Sequence, residues 1–188
     1  AMLIVAGGLV FVAYIGWVTY YSAYVEREFD GGARLIGLLF LVGGSFELFG
    51  NFAAPAVSHR VPVRLVTLVG TIGISLALLG SGVAFGSVAG LFAGIALLHL
   101  ATSFAYVGIN TLLLLRPEAI RGTVMALSSA AIGFGGAMGA LLGGLVLART
   151  DDYESVFHVL GLLMALGAVG LFLVVRSDTG DAEESWSR

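Results

Sequence analysis

Long uncharged runs separated by short charged clusters set the pattern of this chain. Met2–Val25 carries no charge and ends at Glu26-Arg27-Glu28-Phe29-Asp30. A second run from Leu35 to Val57 is interrupted only by Glu47, and the polar turn His59-Arg60-Val61-Pro62-Val63-Arg64 closes it. Pro62 is well placed to open the next helix, because a proline at the first helical position gives up an N–H that has no partner there anyway. From Leu65 to Leu115 only His99 could carry charge. One helix of that length would extend roughly 75 Å at 1.5 Å per residue, against a hydrocarbon core of ~30 Å. The run is therefore expected to be two spans, turning at Gly80-Ser81-Gly82. Arg116-Pro117-Glu118 ends the fourth. The expected spans are 2–25, 35–57, 63–80, 83–115, 122–148 and 155–175, together a bundle over 1–176. The acidic stretch 177–188 is expected to be a disordered tail.

A crossing takes ~20 apolar residues, so the fold class expected is all-α: a polytopic bundle of six transmembrane helices. Composition agrees. Only 11% of the residues are charged and the mean hydropathy is +1.02, where soluble domains carry about 25% charged residues. The first run has no positive n-region and is too long for an h-region, so no cleavable signal peptide is expected. The chain opens on Ala1 and is expected to belong to something longer.

Charge then sets orientation. All nine basic residues are arginine. Arg60, Arg64, Arg116 and Arg121, with Arg176 and Arg188 of the tail, put six on one side; Arg27, Arg34 and Arg149 put three on the other. By the positive-inside rule both termini are expected in the cytoplasm, with the protein in the cell membrane. Lacking lysine and cysteine, the chain can have no P-loop lysine, Schiff base, thiolate nucleophile or cysteine–zinc site. A net charge of −3 offers nothing to nucleic acid. No cofactor, metal centre or enzymatic activity is expected.

Polar residues inside the spans are the candidate chemistry. Glu47 is the one acidic residue deep in a run, where a carboxylate costs ~3 kcal/mol on insertion scales and needs a partner or an aqueous cavity. Asn51 follows one turn later. His99, Ser103, Tyr106 and Asn110, at offsets of four, three and four, form a stripe on one helix face. On the first span, Tyr14 and Trp17 are candidates to line a cavity, while Tyr21 and Tyr24 fit an interfacial aromatic belt. Three helices with polar or aromatic faces imply a shared aqueous cavity, with Glu47 suited to couple a proton gradient to a substrate. Small residues at Gly135, Gly139 and Gly143 allow close helix packing.

Two segments bear a family resemblance. Arg116-Pro117-Glu118-Ala119-Ile120-Arg121-Gly122, running into the glycine-rich fifth span, resembles the loop and helix 11 region of the major facilitator superfamily. Val57-Ser58-His59-Arg60-Val61-Pro62-Val63-Arg64 is similar to the family's cytoplasmic loop after helix 8, usually Leu-Ser-Asp-Arg-Leu-Gly-Arg-Arg. Ser58, Arg60 and Arg64 match; His59 and Pro62 replace the aspartate and a glycine. The resemblance implies the C-terminal six-helix half of a secondary transporter, nearest the sugar-efflux or drug:proton antiporter type. It implies a loop role in conformational change for Arg60, Arg64, Glu118 and Arg121. Expected partners are the lipid bilayer, an N-terminal six-helix half, a small organic solute and protons. Spans one, two, four and five would line the cavity, and three and six would face lipid. A non-transporting scaffold or small channel is an alternative reading, and an intramembrane serine protease using Ser81 and a histidine is another.

Overall fold

The computed structural model describes residues 2–81 and 86–186, with side chains described for 3–81 and 86–173. Six helices run in sequence: α1 Met2–Phe29, α2 Ala33–Ser58, α3 Val63–Leu79, α4 Val88–Leu114, α5 Glu118–Thr150 and α6 Tyr153–Trp186. No strand occurs among the described residues. Five of the helices are long and apolar enough to cross a membrane. α3, with 17 residues, lies at the lower limit for a crossing.

Local chemistry sets the helix ends. Pro62 and Pro117 sit at the N-terminal boundaries of α3 and α5, their fixed φ matching the first turn. Ser87 caps α4, its Oγ accepting from Gly90 N. Asp30 after α1 and Asp151 after α5 take left-handed φ values of 49° and 50°, a region short polar side chains tolerate better than most. Two expectations need correcting at ends. α4 begins at Val88 rather than 83, because the Ser87 cap sets its start; residues 82–85, which hold Gly82 of the expected turn, lie outside the described residues. α6 continues to Trp186 where a disordered tail is expected, and its Asp-Ala-Glu-Glu segment includes three residues with moderate to high helix propensity.

Glycine decides which helices touch. α1 makes its most extensive contact with α5, and α4 with α2 and α3. A Cβ on Gly139 would run into the Val12 carbonyl oxygen, and one on Gly135 would lie 2.7 Å from that of Gly8. The α1 and α5 backbones are therefore in direct contact along a small-residue face. Gly70 on α3 does the same against α4, where a Cβ would stand 2.5 Å from Ala105 N.

The residues turned inward include Trp17, Tyr21, Leu91, Ile95, Leu98 and Phe157, all fully buried. Large apolar side chains such as Phe49, Phe52, Phe134 and Leu166 cover the outside, an arrangement suited to a hydrocarbon surround. Tyr21 and Tyr24 are buried rather than interfacial: Tyr21 packs against Trp17 and Phe40, Tyr24 against Phe157 and Tyr153. The aromatic-belt expectation fails for both, because a stripe of aromatics on one helix face serves an internal stack equally well. Outside the bundle, Arg27 forms a bidentate pair with Asp151 at 2.9 and 3.3 Å, and its guanidinium lies 5.7 Å from the Tyr153 ring centre. This ties the end of α1 to the α5–α6 turn.

Candidate functional site

Three helices meet at Glu47. It stands mid-way along α2, with Gly43 and Gly50 one turn to either side, and these three positions face α4. A Cβ at Gly43 would lie 2.7 Å from His99 Cδ2, and one at Gly50 would lie 2.6 Å from Ser103 Cβ. The glycines thus let α4 approach until its polar stripe reaches the carboxyl group. His99 Nδ1 comes within 2.7 Å of Glu47 Oε2. From α1, Tyr14 donates its hydroxyl proton to the same oxygen at 3.1 Å, and that hydroxyl is 3.5 Å from His99 Nδ1. Ser103 Oγ donates to the Glu47 backbone carbonyl at 2.8 Å and to the His99 carbonyl at 3.1 Å. A carboxyl in a bundle interior needs such partners, because leaving it unpaired costs several kcal/mol.

The group is layered. The His99 side chain is 6% exposed and the Glu47 side chain 37%. Histidine therefore sits behind the carboxyl, which opens on a cavity of about 260 Å³ lined by Phe11, Tyr14, Glu47, Asn51, Thr102, Ser103, Tyr106 and Ile132. Those residues come from α1, α2, α4 and α5, the four helices expected to line a cavity. A larger cleft of about 400 Å³ lies between α3 and α6, but its lining is apolar apart from Ser75 and offers no chemistry.

Of the residues singled out in the sequence, Tyr14, Glu47, Asn51, Ser103 and Tyr106 line this cavity, and His99 backs it. Trp17 does not line it. It is fully buried, with its ring 5.9 Å from His99 and 6.5 Å from Tyr14, so it packs behind both. Asn110 is also absent from the lining; its amide donates to the Tyr106 carbonyl on its own helix at 2.9 Å. Sequence reasoning missed Phe11, Thr102 and Ile132, together with Gly43 and Gly50. Gly43, Glu47 and Gly50 share the offsets of four and three that marked the α4 stripe, which was the available signal. Pro55 was missed as well: having no N–H, it leaves the Asn51 carbonyl without its usual partner one turn below the carboxyl.

The loop residues behave differently. Arg60, Glu118 and Arg121 are exposed, and Arg121 donates to the Arg116 carbonyl at 3.4 Å. They share one end of the bundle with Arg64, since α2, α3, α4 and α5 alternate in direction. Ser81 Oγ is buried and has no hydrogen-bond partner among the described residues, so it forms no serine–histidine pair of the protease kind.

A search of curated proteins finds no match to the chain. The family model of the Major Facilitator Superfamily matches residues 4–187, nearly the whole sequence, and the six-helix all-α arrangement is consistent with half of that fold. The chain belongs to the major facilitator superfamily and is an integral membrane transporter protein.

Proposed function

We propose that the chain is the C-terminal six-helix half of a proton-coupled secondary transporter that exports a small organic solute, of the sugar-efflux or drug:proton antiporter type. The observation that carries the reading is the convergence of Tyr14, Glu47 and His99 from three helices on one cavity. A carboxyl group that faces a cavity and is held from behind by a hydroxyl and an imidazole can exchange a proton with water while its position stays fixed. Asn51, Ser103 and Tyr106 are the groups to hold the solute. An N-terminal half supplies the opposite wall, as substrates of this fold bind between two halves near the midplane. The excess of arginine at the Arg60 and Arg116–Arg121 end supports a cytoplasmic position for that end and for both termini, with the protein in the cell membrane.

The test is accumulation in proteoliposomes with an acidic lumen, using the chain co-expressed with a matching N-terminal half. A panel of labelled sugars and organic amines is offered in the bath. Uphill uptake of at least one solute is expected, abolished by a protonophore and by Glu47→Gln. Uptake no greater than in empty liposomes, for every solute, would sink the transport reading. Uphill uptake that survives the protonophore would sink the proton coupling.

A further inference from the structure

We propose that the cleft between α3 and α6 holds one acyl chain of a membrane phospholipid, with the phosphate of that lipid at the Arg64 end.

The cleft follows from where glycine lets the helices meet. Ser75 Oγ on α3 donates to the Gly161 carbonyl on α6 at 2.9 Å, and a Cβ at Gly161 would come 3.0 Å from Leu79 Cγ. The two helices are therefore joined near the C-terminal end of α3. Towards its other end each is drawn to a different neighbour. Gly70 seats α3 on α4, where a Cβ would lie 2.7 Å from the Ala101 carbonyl oxygen. Gly167 seats α6 on α1, where a Cβ would lie 3.3 Å from Leu9 Cβ. α3 and α6 part as a result, and the gap of about 400 Å³ runs from Leu79 and Ala165 to Leu68 and Phe172. Ile72, Leu76, Val169 and Phe172 are exposed along it, so it opens on the outside of the bundle, where these membrane-spanning helices meet lipid.

Size and charge select the occupant. Leu68 to Leu79 covers roughly 16 Å at 1.5 Å per residue, close to one leaflet of a ~30 Å hydrocarbon core. A volume of about 400 Å³ over that length has a mean section of about 25 Å². A helix, with a diameter of about 10–12 Å, needs about 80 Å² or more. A helix of a second copy therefore does not enter, whereas one extended hydrocarbon chain does, with dispersion contacts on both walls. Ser75 is the only polar residue of the lining, and its hydroxyl is already engaged by Gly161. Arg64 precedes Leu68 by one turn on the same side of α3, half-buried, and Arg60 is exposed in the loop before it. Arginine at the membrane surface attracts the phosphate of a lipid. Arg64 makes an interaction already, and its five donors let a phosphate oxygen join it. At the opposite end, the sequence from Leu79 to Val88 has no charged residue. A chain in the cleft packs on α3 and α6 at once and fills the seam that their separate glycine contacts leave open.

The experiment is photo-capture on the full chain in maltoside detergent, using a phosphatidylcholine with a diazirine midway along one acyl chain and mass spectrometry of the product. Capture is expected to saturate at one lipid per chain, in peptides that span Leu68–Leu79 and Ala165–Phe172. Ala165→Leu and Ala168→Leu fill the cleft and should each reduce capture severalfold. Gly170→Leu, away from the lining and with open space around its Cβ, should not. Ala165 is only half-buried, so its variant keeps the test decisive if Ala168→Leu does not fold. Unlabelled dioleoyl phosphatidylglycerol should displace the probe about fivefold better than diolein, which has the same chains and no phosphate. Arg64→Gln should erase that difference. Capture spread evenly over the outward faces of α2 and α5 would overturn the proposal. So would capture indifferent to both cleft-filling variants, equal displacement by diolein, or a dimeric chain with no lipid on those peptides.

Discussion

Replacing Gly139 by alanine adds one methyl group, and the structure places it where the α1 backbone already is. The Cβ would run into the Val12 carbonyl oxygen and sit 2.9 Å from Gly16 N. Neither atom belongs to a flexible side chain, so α1 and α5 must separate. Overpacking of this kind costs about 1–3 kcal/mol. Working against it, alanine is better than glycine inside a helix by ~1 kcal/mol. Gly133 isolates that second effect, since it lies on the same helix with nothing within 4 Å of an added Cβ. Gly133→Ala should therefore be neutral or slightly stabilising, and Gly139→Ala destabilising by up to ~2 kcal/mol net. Taking the soluble-domain scaling, ~1 kcal/mol lowers Tm by about 2–4 °C at this chain length. Gly135→Ala, 2.7 Å from the Gly8 oxygen, should behave like Gly139→Ala. Gly143→Ala should be milder, because it meets the Tyr20 ring, which can turn away at the expense of its 2.6 Å bond to the Ala140 carbonyl. The assay is thermal unfolding in one detergent, followed by circular dichroism. Equal Tm values for Gly139→Ala and Gly133→Ala would refute the close α1–α5 contact.

Other consequences are separable from that one. Gly43→Ala should displace the His99 ring from Glu47 and reduce solute transport at least tenfold in the assembled protein, whereas Gly44→Ala, with open space around its Cβ, should transport normally; equal activities would remove Gly43 from the site. Asp152 is held below the usual carboxylate range, chiefly by the Ser155 hydroxyl bonded at 2.5 Å and further by the backbone N–H groups of Ser155 and Glu154. Its folded form binds fewer protons than the unfolded chain between the depressed and ordinary pKa, so its contribution is complete above the ordinary value and disappears as pH falls through the depressed one. Asp152→Ala should cost about 0.5–2 kcal/mol near neutral pH, as for loss of a helix cap, with the gap from wild type closing in acid; a gap independent of pH would rule out this role. With no native cysteine, His59→Cys should resist an impermeant thiol reagent in intact cells and Ala33→Cys should react, both side chains being exposed and on opposite ends of the bundle; the reverse labelling would invert the topology.

The helices and most of the site were legible because lipid leaves few alternatives. Every uncharged run long enough to cross became a helix, since a chain in hydrocarbon must satisfy its backbone internally. Glu47 and the His99 stripe were legible for the same reason, as a polar group at that depth must have a partner. Which partner was not legible. Tyr14 and Trp17 lie three residues apart on one face and look alike in sequence, yet Tyr14 reaches the carboxyl and Trp17 fills the packing behind His99. Gly43 and Gly50 went unread because they flank a charged residue rather than forming an uninterrupted ladder like Gly135, Gly139 and Gly143.

Those two glycine faces are related by the architecture. The leading contacts pair α1 with α5 and α6, and α4 with α2 and α3. Exchanging α1 with α4, α2 with α5 and α3 with α6 maps one set onto the other, the pattern of two three-helix repeats. α5 presents Gly135, Gly139 and Gly143 to α1; α2 presents Gly43, Glu47 and Gly50 to α4. In one repeat the middle of the face is the tightest backbone contact in the interface, and in the other it is the carboxyl. Among the described residues, Glu47 is bound within its own α2–α4 pair through His99 and the Ser103 hydroxyl, and across to α1 through Tyr14. The direct contact between α1 and α2 is slight. A motion of the α1–α5 pair against the α2–α4 pair would therefore change one hydrogen bond to the carboxyl, together with the contacts of Tyr14 and Trp17 on the His99 ring. Among the described residues, Tyr14 is thus the hydrogen-bonding link to the carboxyl from the other repeat, and His99 the link from its own.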